Sequence, residues 1–173
     1  MSDGAQPTAT PTATPTPTRT PTLTATPPAV SPGQNLPPPA ITVKGRTVTV
    51  KMPRLRPVLK GKPLQNAIKL LIRKGLSRKR ALQAVKSLVI RYTVTIKYIK
   101  RRRTAAGAEV MEDETEILGS RGGQYRSRNN QLSVRNLSPG NYSASYSVTI
   151  STRSPPVDVG SSRTSRPRNF SVR

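Results

Sequence analysis

The sequence predicts a mainly β protein: an antiparallel sandwich with an inserted helical hairpin and a disordered N-terminal tail. Residues 89–100 and 142–152 alternate large apolar side chains with Ser, Thr, Lys or Arg, which is typical of half-buried strands. Residues 63–88 instead space their apolar side chains as an amphipathic helix does. Residues 1–39 contain 11 Pro and 10 Thr, and they cannot bury enough apolar area to offset their chain entropy. We therefore divide the chain into a disordered Thr/Pro-rich linker, residues 1–39, and a domain, residues 40–173.

The predicted strands of the domain alternate apolar and polar side chains, so that each has one apolar face. Residues 41–52 give two short β runs broken by Gly45, with Val48, Val50 and Met52 on one face. The two long runs have inward positions at Ile90, Tyr92, Val94, Ile96, Tyr98, Tyr142, Ala144, Tyr146, Val148 and Ile150. Further strands are marked by Leu132, Val134, Leu137, Phe170 and Val172. Gly, Pro, Ser and Asn between these runs favour antiparallel pairing in a sandwich.

The stretch Leu137-Ser-Pro-Gly-Asn-Tyr142 resembles the corner between strands E and F of fibronectin type III domains, which are immunoglobulin-like sandwiches. In that family the tyrosine hydroxyl closes the corner by bonding to backbone a few residues upstream. The resemblance implies structural roles for Leu137, Pro139, Gly140 and Tyr142. It also matches four other segments to family strands, namely Pro39–Val43 to A, Thr47–Met52 to B, Arg91–Lys100 to C and Ser165–Val172 to G.

Two departures from the family pattern stand out. Met52 occupies the place of a core tryptophan late in strand B, which implies a smaller and softer core. Residues 53–88 stand where a short B–C loop is expected, and they form the helical insertion. The resemblance implies a non-enzymatic binding or spacing module and does not identify a ligand, since fold does not give function.

The sequence pattern of the insertion predicts two helices joined by a tight turn. Leu64, Ala67, Ile68, Leu71 and Ile72 follow helical spacing. Pro63 suits a first turn, Gly75 suits the left-handed position past a helix end, and Ser77 suits the N-cap of a second helix. The second helix has one apolar face, formed by Ala81, Leu82, Val85 and Leu88.

The second helix begins with three cations, Arg78, Lys79 and Arg80. They oppose the helix dipole and occupy a place where a structural helix prefers an acid. One interpretation is that they are solvated charges. The other is that they meet an anionic partner, and residues 40–108 favour it because they hold 20 Lys and Arg and no acid. A DNA-binding helix-turn-helix fits less well, because Leu71 stands where that motif has a small residue.

A second basic run closes the strand at residues 97–103, and an acidic cluster follows at residues 109–116. If the two segments pair as a hairpin, the acids lie opposite the bases and set the register. The candidate polyanion-binding residues are Lys74, Arg78, Lys79, Arg80, Lys97, Lys100, Arg101, Arg102 and Arg103. Four of the five tyrosines have core spacing, which leaves Tyr125 alone for stacking on a nucleic-acid base.

Composition argues against an enzyme. The chain has no His and no Cys, which excludes imidazole- and thiolate-based nucleophiles, zinc fingers and disulfides. The acids at Glu112–Glu116 lack the calcium-loop pattern, and no enclosed carboxylate pair is visible for acid–base work. We therefore expect no catalytic residue, no cofactor and no metal.

The predicted function is a binding or adhesion module that displays a basic surface to an anionic polymer: a glycan, a cell-envelope polyanion or a nucleic acid. The alternatives are an intracellular, sequence-tolerant nucleic-acid-binding protein and a structural subunit with a protein partner in a surface assembly. The Thr/Pro-rich segment favours an extracellular or cell-surface location, whereas no signal peptide is visible, which favours the cytoplasm. No apolar run is long enough for a transmembrane segment.

Overall fold

The computed structural model describes residues 26–103, 109–114, 118–119 and 122–173. Its two helices are α1 (Gly61–Arg73) and α2 (Arg78–Ala84). Its strands, in chain order, are β1 (Ala29–Val30), β2 (Ala40–Lys44), β3 (Thr47–Lys51), β4 (Arg56–Pro57), β5 (Leu88–Arg103), β6 (Glu109–Glu114), β7 (Leu118–Gly119), β8 (Gly122–Ser127), β9 (Gln131–Val134), β10 (Gly140–Thr152), β11 (Asp158–Ser161) and β12 (Arg168–Val172).

Two antiparallel sheets form the sandwich. The smaller sheet has the order β2-β3-β9, and the larger sheet is centred on the long pair β5 and β10. That pair runs in continuous register from Asn141 opposite Ile99 to Thr152 opposite Leu88. Strands β11 and β12 both lie on the outer side of β10, while β6 and β8 both lie on the outer side of β5. The mainly β, antiparallel sandwich with two inserted helices confirms the predicted fold class.

The core lies between the two sheets, and the predicted alternation holds there. Val48 and Val50 of β3 are fully buried, and Met52 is 1% exposed. They pack with the predicted inward residues of the larger sheet, Tyr92, Val94, Ile96, Tyr142, Ala144, Tyr146, Val148 and Ile150. Met52 therefore fills a core position, where its flexible side chain suits an irregular space.

The turn before β10 is closed by a tyrosine, as the resemblance implied. The Tyr142 hydroxyl donates to the carbonyl oxygen of Ser138 at 2.7 Å. The Tyr142 ring stacks on Phe170 with ring centroids 5.5 Å apart and meets the Tyr98 ring edge-on at 5.3 Å. Gly140 has a φ of +152°, and a Cβ there would overlap the Tyr98 ring. Only glycine fits this position without strain.

The predicted boundary at residue 40 is wrong, because residues 26–39 belong to the fold. Strand β1 pairs in parallel with β4, and Gly33 N–H donates to the carbonyl oxygen of Ser161 at 2.8 Å. Val30 is fully buried and Leu36 is 6% exposed. These two side chains supply the apolar burial that the Thr/Pro-rich repeat lacks. The rest of the predicted linker, residues 1–25, lies outside the described residues.

The last strand begins later than predicted, because the segment matched to strand G, Ser165–Val172, is a strand only from Arg168. A separate strand that was not predicted, β11, precedes it, with residues 162–167 between the two. The buried hydroxyls of Ser162 and Ser165 accept from the N–H groups of Val148 and Tyr146 at 2.9 and 3.0 Å. Serine side chains thus satisfy β10 donors where strand backbone does not, as buried donors require.

The helical insertion folds against the edge of the larger sheet. Helix α1 ends at Arg73, and Gly75, whose φ is +91°, directly follows its C-cap. Leu76 N–H donates to the carbonyl of Leu71 at 3.1 Å, and Gly75 N–H donates to that of Ile72 at 2.9 Å, which is a Schellman ending. The small hydrophobic cluster beneath the hairpin contains Leu71, Ala81 and Ala84, with Ile68, Leu76, Val85, Val157 and Val159 around it.

The second helix is shorter than predicted. It ends at Ala84, and Leu88 begins β5 instead of extending the helix. Leu82, which was assigned to its apolar face, is 45% exposed, whereas Ala84 is buried. The short helix turns Ala81 and Ala84 toward α1, so the apolar stripe is narrower than the sequence suggested. Neither described helix has the length and apolarity needed to cross a membrane.

Candidate anion-binding surfaces

The first candidate surface is the basic turn between the two helices. The Ser77 side-chain oxygen accepts from the Arg80 N–H at 3.4 Å, so Ser77 is the N-cap of α2. Arg78, Lys79 and Arg80 form the first turn of the helix, and all three are exposed. Lys74 at the C-cap of α1 is also exposed. The fold therefore collects these four predicted cations at one place.

The second candidate surface lies on the final part of β5. Lys97 is half-buried and lies opposite Ser143 of β10. The strand continues beyond β10 through Arg103, where β6 is its pairing partner. The register places Lys100 opposite Glu112 and Arg103 opposite Glu109. The predicted pairing of the basic run with the acidic segment is thus confirmed for residues 109–114, while its turn, residues 104–107, lies outside the described residues.

These two groups of predicted residues lie at opposite ends of the sandwich. Strand β5 begins next to the helical hairpin and ends beside the corner at Gly140, since Asn141 is opposite Ile99. At about 3.3 Å per residue, Arg91 and Lys100 are roughly 30 Å apart along the strand. We call the end of the sandwich with the helical hairpin the insertion end, and the end with the Gly140 corner the corner end. The nine predicted residues therefore do not form one site.

The insertion end also holds two adjoining clefts. The first has a volume of about 500 Å³ and lies between α2 and the loop that joins β10 to β11, with Arg80 and Arg153 in its lining. The second has a volume of about 520 Å³, shares Arg153, and adds Arg91 and Arg128. No acid among the described residues lines either cleft. The acid nearest to Arg153 in the sequence is Asp158, and its carboxylate accepts a hydrogen bond from the Ser151 hydroxyl at 2.5 Å.

Sequence reasoning missed Arg91, Arg128 and Arg153. Each stands alone among neutral neighbours or in a turn, so no local run of charge marks it. The register brings them together: Arg128 follows Ser127, which lies opposite Tyr92, and Arg153 follows Thr152, which lies opposite Leu88. The only sequence signal was the outward phase of Arg91 within an otherwise predictable strand.

The segments that carry these arginines are held by backbone hydrogen bonds. Arg153 N–H donates to the carbonyl of Ser87 at 3.0 Å, which fixes the β10–β11 loop to the start of β5. Thr152 N–H donates to the carbonyl of Val157 at 2.9 Å, and Val157 N–H donates to Thr152 Oγ1 at 3.1 Å. Near Arg128, Met52 N–H donates to the Asn130 carbonyl at 2.7 Å. The cleft walls are therefore fixed relative to one another.

The tyrosines belong to the core rather than to a binding surface. Tyr125, which was expected to be free for stacking, is half-buried and packs against the main core. Burial raises the pKa of Tyr125 and of Tyr92, and it raises the pKa of Tyr146 to about 12, with a smaller contribution from Tyr92. The charged side chains that line the clefts at the insertion end are thus arginines.

Comparisons with known proteins identify no family to which the chain belongs. No protein-family model matches the chain, and no curated protein matches it. Among solved structures, it is similar to the third fibronectin III domain of the human KIAA0343 protein. That likeness has a TM-score of 0.38 and 12% sequence identity, and it covers 84% of this chain and 82% of that one. The sheet order and the tyrosine corner described above agree with a fibronectin type III-like sandwich.

Proposed function

We infer that this protein is a non-enzymatic binding module whose insertion end binds an anionic polymer. The observation that carries this proposal is the collection of exposed cations on the helical hairpin, within a segment, residues 26–103, that holds 20 Lys and Arg and no acid. Such a surface has a strongly positive potential, which attracts and retains polyanions. The Thr/Pro-rich segment before the domain favours an extracellular or cell-surface location for it.

The insertion end is a better candidate than the corner end. At the corner end, the register places acids of β6 opposite Lys100 and Arg103, so the pairing offsets part of the positive charge. At the insertion end the turn residues are exposed, and the nearest described strands β10 and β11 add a single acid, Asp158. Net positive potential is therefore expected to be higher at the helices.

The test is retention on heparin and on double-stranded DNA across a salt series. The variant carries Arg78→Gln, Lys79→Gln and Arg80→Gln. Its matched control carries Lys44→Gln, Arg135→Gln and Arg173→Gln, three exposed cations near the corner end. Both variants lose the same net charge, so a difference between them reports position rather than charge.

We expect the hairpin variant to bind more weakly, with a log–log salt slope flatter by up to about two or three units on DNA if each residue neutralises one phosphate. The control is expected to keep a slope close to that of the unchanged protein. Equal losses in the two variants would mean that only net charge matters. A loss confined to the control would move the binding surface to the corner end.

A further inference from the structure

We propose that the second cleft at the insertion end is a binding site for a phosphate or sulfate group carried on an apolar or planar body. This site is distinct from the hairpin turn, because its charged residues are Arg91, Arg128 and Arg153. The proposal goes beyond polymer binding and does not depend on it, since a small anion can occupy the cleft whether or not a polymer meets the hairpin.

The charge of the cleft supports an anionic ligand. Three arginines from three separate segments converge on one concavity: Arg91 from β5, Arg128 from the β8–β9 turn and Arg153 from the β10–β11 loop. Within the part of the chain that the structure describes, no acidic side chain lines the cleft. A concave surface lined by one sign of charge concentrates counterions. Guanidinium groups also present fixed forks of N–H donors, which suit the several oxygens of a phosphate or sulfate.

The walls of the cleft indicate what carries the anion. Pro57, Leu88, Ile90 and Pro156 supply apolar surface between the arginines. The volume of about 520 Å³ falls within the range of small-molecule sites. An inorganic anion alone would leave these walls uncovered, whereas an ester with an aromatic or sugar ring would cover them. The arginines therefore select the charged group, and the walls favour a ring attached to it.

The backbone of the cleft is organised before any ligand arrives. The Arg153 N–H bond to Ser87 joins the β10–β11 loop to β5, and Asn130 Nδ2 donates to the Met52 carbonyl at 3.2 Å beside Arg128. Little loop ordering is then required on binding, which reduces the entropic cost. The groups that must become ordered on binding are the arginine side chains.

The experiment uses the full chain and three probes with the same ring and different charged groups: 4-nitrophenyl phosphate, 4-nitrophenyl sulfate and 4-nitrobenzoate. Inorganic phosphate and uncharged 4-nitroanisole serve as controls for the ring and for the charge. Binding is measured by calorimetry, and the site is located by amide chemical-shift changes at residues 88–91 and 151–154. The phosphate and sulfate arms distinguish the two sources of a tetrahedral anion.

We expect at least one of the two esters to bind with tenfold or greater preference over inorganic phosphate, 4-nitrobenzoate and 4-nitroanisole. The variant with Arg91→Gln, Arg128→Gln and Arg153→Gln is expected to lose at least tenfold in affinity. The variant with Arg78→Gln and Lys79→Gln is expected to stay within twofold, because neither residue lines the cleft. Circular dichroism and the melting temperature show that the cleft variant is folded, and single Arg128→Gln provides a milder change.

Three outcomes would overturn the proposal: equal ester affinity in the cleft variant, equal affinity for 4-nitroanisole, or shift changes confined to the hairpin. Polymer retention of the same variants separates the two proposals. Ester binding without polymer retention would leave the cleft standing and remove the proposed function. Polymer retention that depends on Arg78 and Lys79, without ester binding, would do the reverse.

Discussion

The two ends of the sandwich are built on different principles. At the corner end, Tyr142 bonds to Ser138 only four residues away, and its ring lies between Tyr98 and Phe170. At the insertion end, Arg91, Arg128 and Arg153 meet although they are far apart in sequence, and no hydrogen bond joins their side chains among the described residues. The hydrogen bond that closes the corner spans only four residues, although the ring contacts of Tyr142 and the bond from Arg46 Nε to the Leu137 carbonyl at 3.0 Å are long-range. By contrast, long-range register alone brings the three arginines of the cleft together and leaves their charges available.

This difference indicates that the corner end serves stability and the insertion end serves binding. A buried neutral hydrogen bond with stacked rings stabilises a fold without requiring a ligand. A cluster of cations without acids raises the free energy of the folded state unless counterions or a ligand offset the repulsion. We therefore expect changes at the corner end to lower stability, and changes to the exposed cations at the insertion end to alter binding first.

Deletion of residues 1–39 should have the largest effect on stability, and it tests whether the insertion end depends on its N-terminal segment. The deletion removes Val30, which is fully buried, and Leu36, which is 6% exposed. At about 1.5–3 kcal/mol for each buried aliphatic side chain, the free energy of unfolding should fall by about 3–6 kcal/mol. Urea denaturation measures this change.

The matched deletion removes residues 1–25 only. We predict that it leaves the melting temperature within about a degree, because those residues are Thr/Pro-rich and have no apolar periodicity. Equal stability of the two truncated proteins would show that β1 and Leu36 contribute nothing. The stability of the insertion end would then not depend on the N-terminal segment, residues 26–39.

Gly140→Ala should be the most damaging point change at the corner end. The positive φ disfavours alanine, and the new Cβ would overlap the Tyr98 ring. Strain and displacement together should lower the free energy of unfolding by about 2–3 kcal/mol. Gly33→Ala is the control, because Gly33 also has a positive φ, +74°, but no atom within 4 Å of the added Cβ. A similar cost at both positions would leave backbone strain as the sole cause.

Tyr146→Phe should change the alkaline limb of the stability curve. The pKa of Tyr146 is raised to about 12 in the folded protein, above the usual 10 of an unfolded tyrosine. The neutral form is therefore favoured by folding, so its contribution is complete below pH 10 and is lost as pH rises toward 12. The loss is up to about 1.4 kcal/mol per pH unit. Urea midpoints at pH 9, 10 and 11 should fall less steeply in the variant, and identical slopes would contradict the assignment.

The two tyrosines of β10 provide the smallest and most direct comparison at neutral pH. Tyr142→Phe removes the bond to Ser138 and should lower stability by about 1 kcal/mol. Tyr146 has a buried hydroxyl with no hydrogen-bond partner among the described residues, so Tyr146→Phe should raise stability by about 1 kcal/mol. Opposite signs in thermal and urea unfolding would confirm the contrast. A loss in both variants would mean that the Tyr146 hydroxyl is satisfied in solution.

Prediction from sequence succeeded where neighbours in the chain are neighbours in space. The alternation of Tyr92, Val94 and Ile96 determined which face of β5 is buried, because side chains alternate strictly along a strand. Gly75 and Ser77 marked the end of α1 and the start of α2 through local capping. The Leu137–Tyr142 stretch specified a corner whose closing hydrogen bond spans four residues.

Prediction failed where distant segments meet. Composition assigned residues 26–39 to the linker. In the structure, Val30 and Leu36 are buried, because β1 pairs with β4 and Gly33 bonds to the carbonyl of Ser161. The last strand begins only at Arg168 instead of Ser165, and before it the side chains of Ser162 and Ser165 accept from N–H groups of β10. Neither serine differs from a loop serine in the sequence alone.

The sequence by itself determined the β character, the hairpin, the corner and the excess of positive charge, because periodicity, capping and composition act locally. Only the tertiary structure decided that the two basic groups lie at opposite ends of β5 and that Arg91, Arg128 and Arg153 share a cleft. The physical reason is that strand register sets distances between residues far apart in sequence. That register follows from burial of whole faces across the two sheets, and no short stretch of residues contains it.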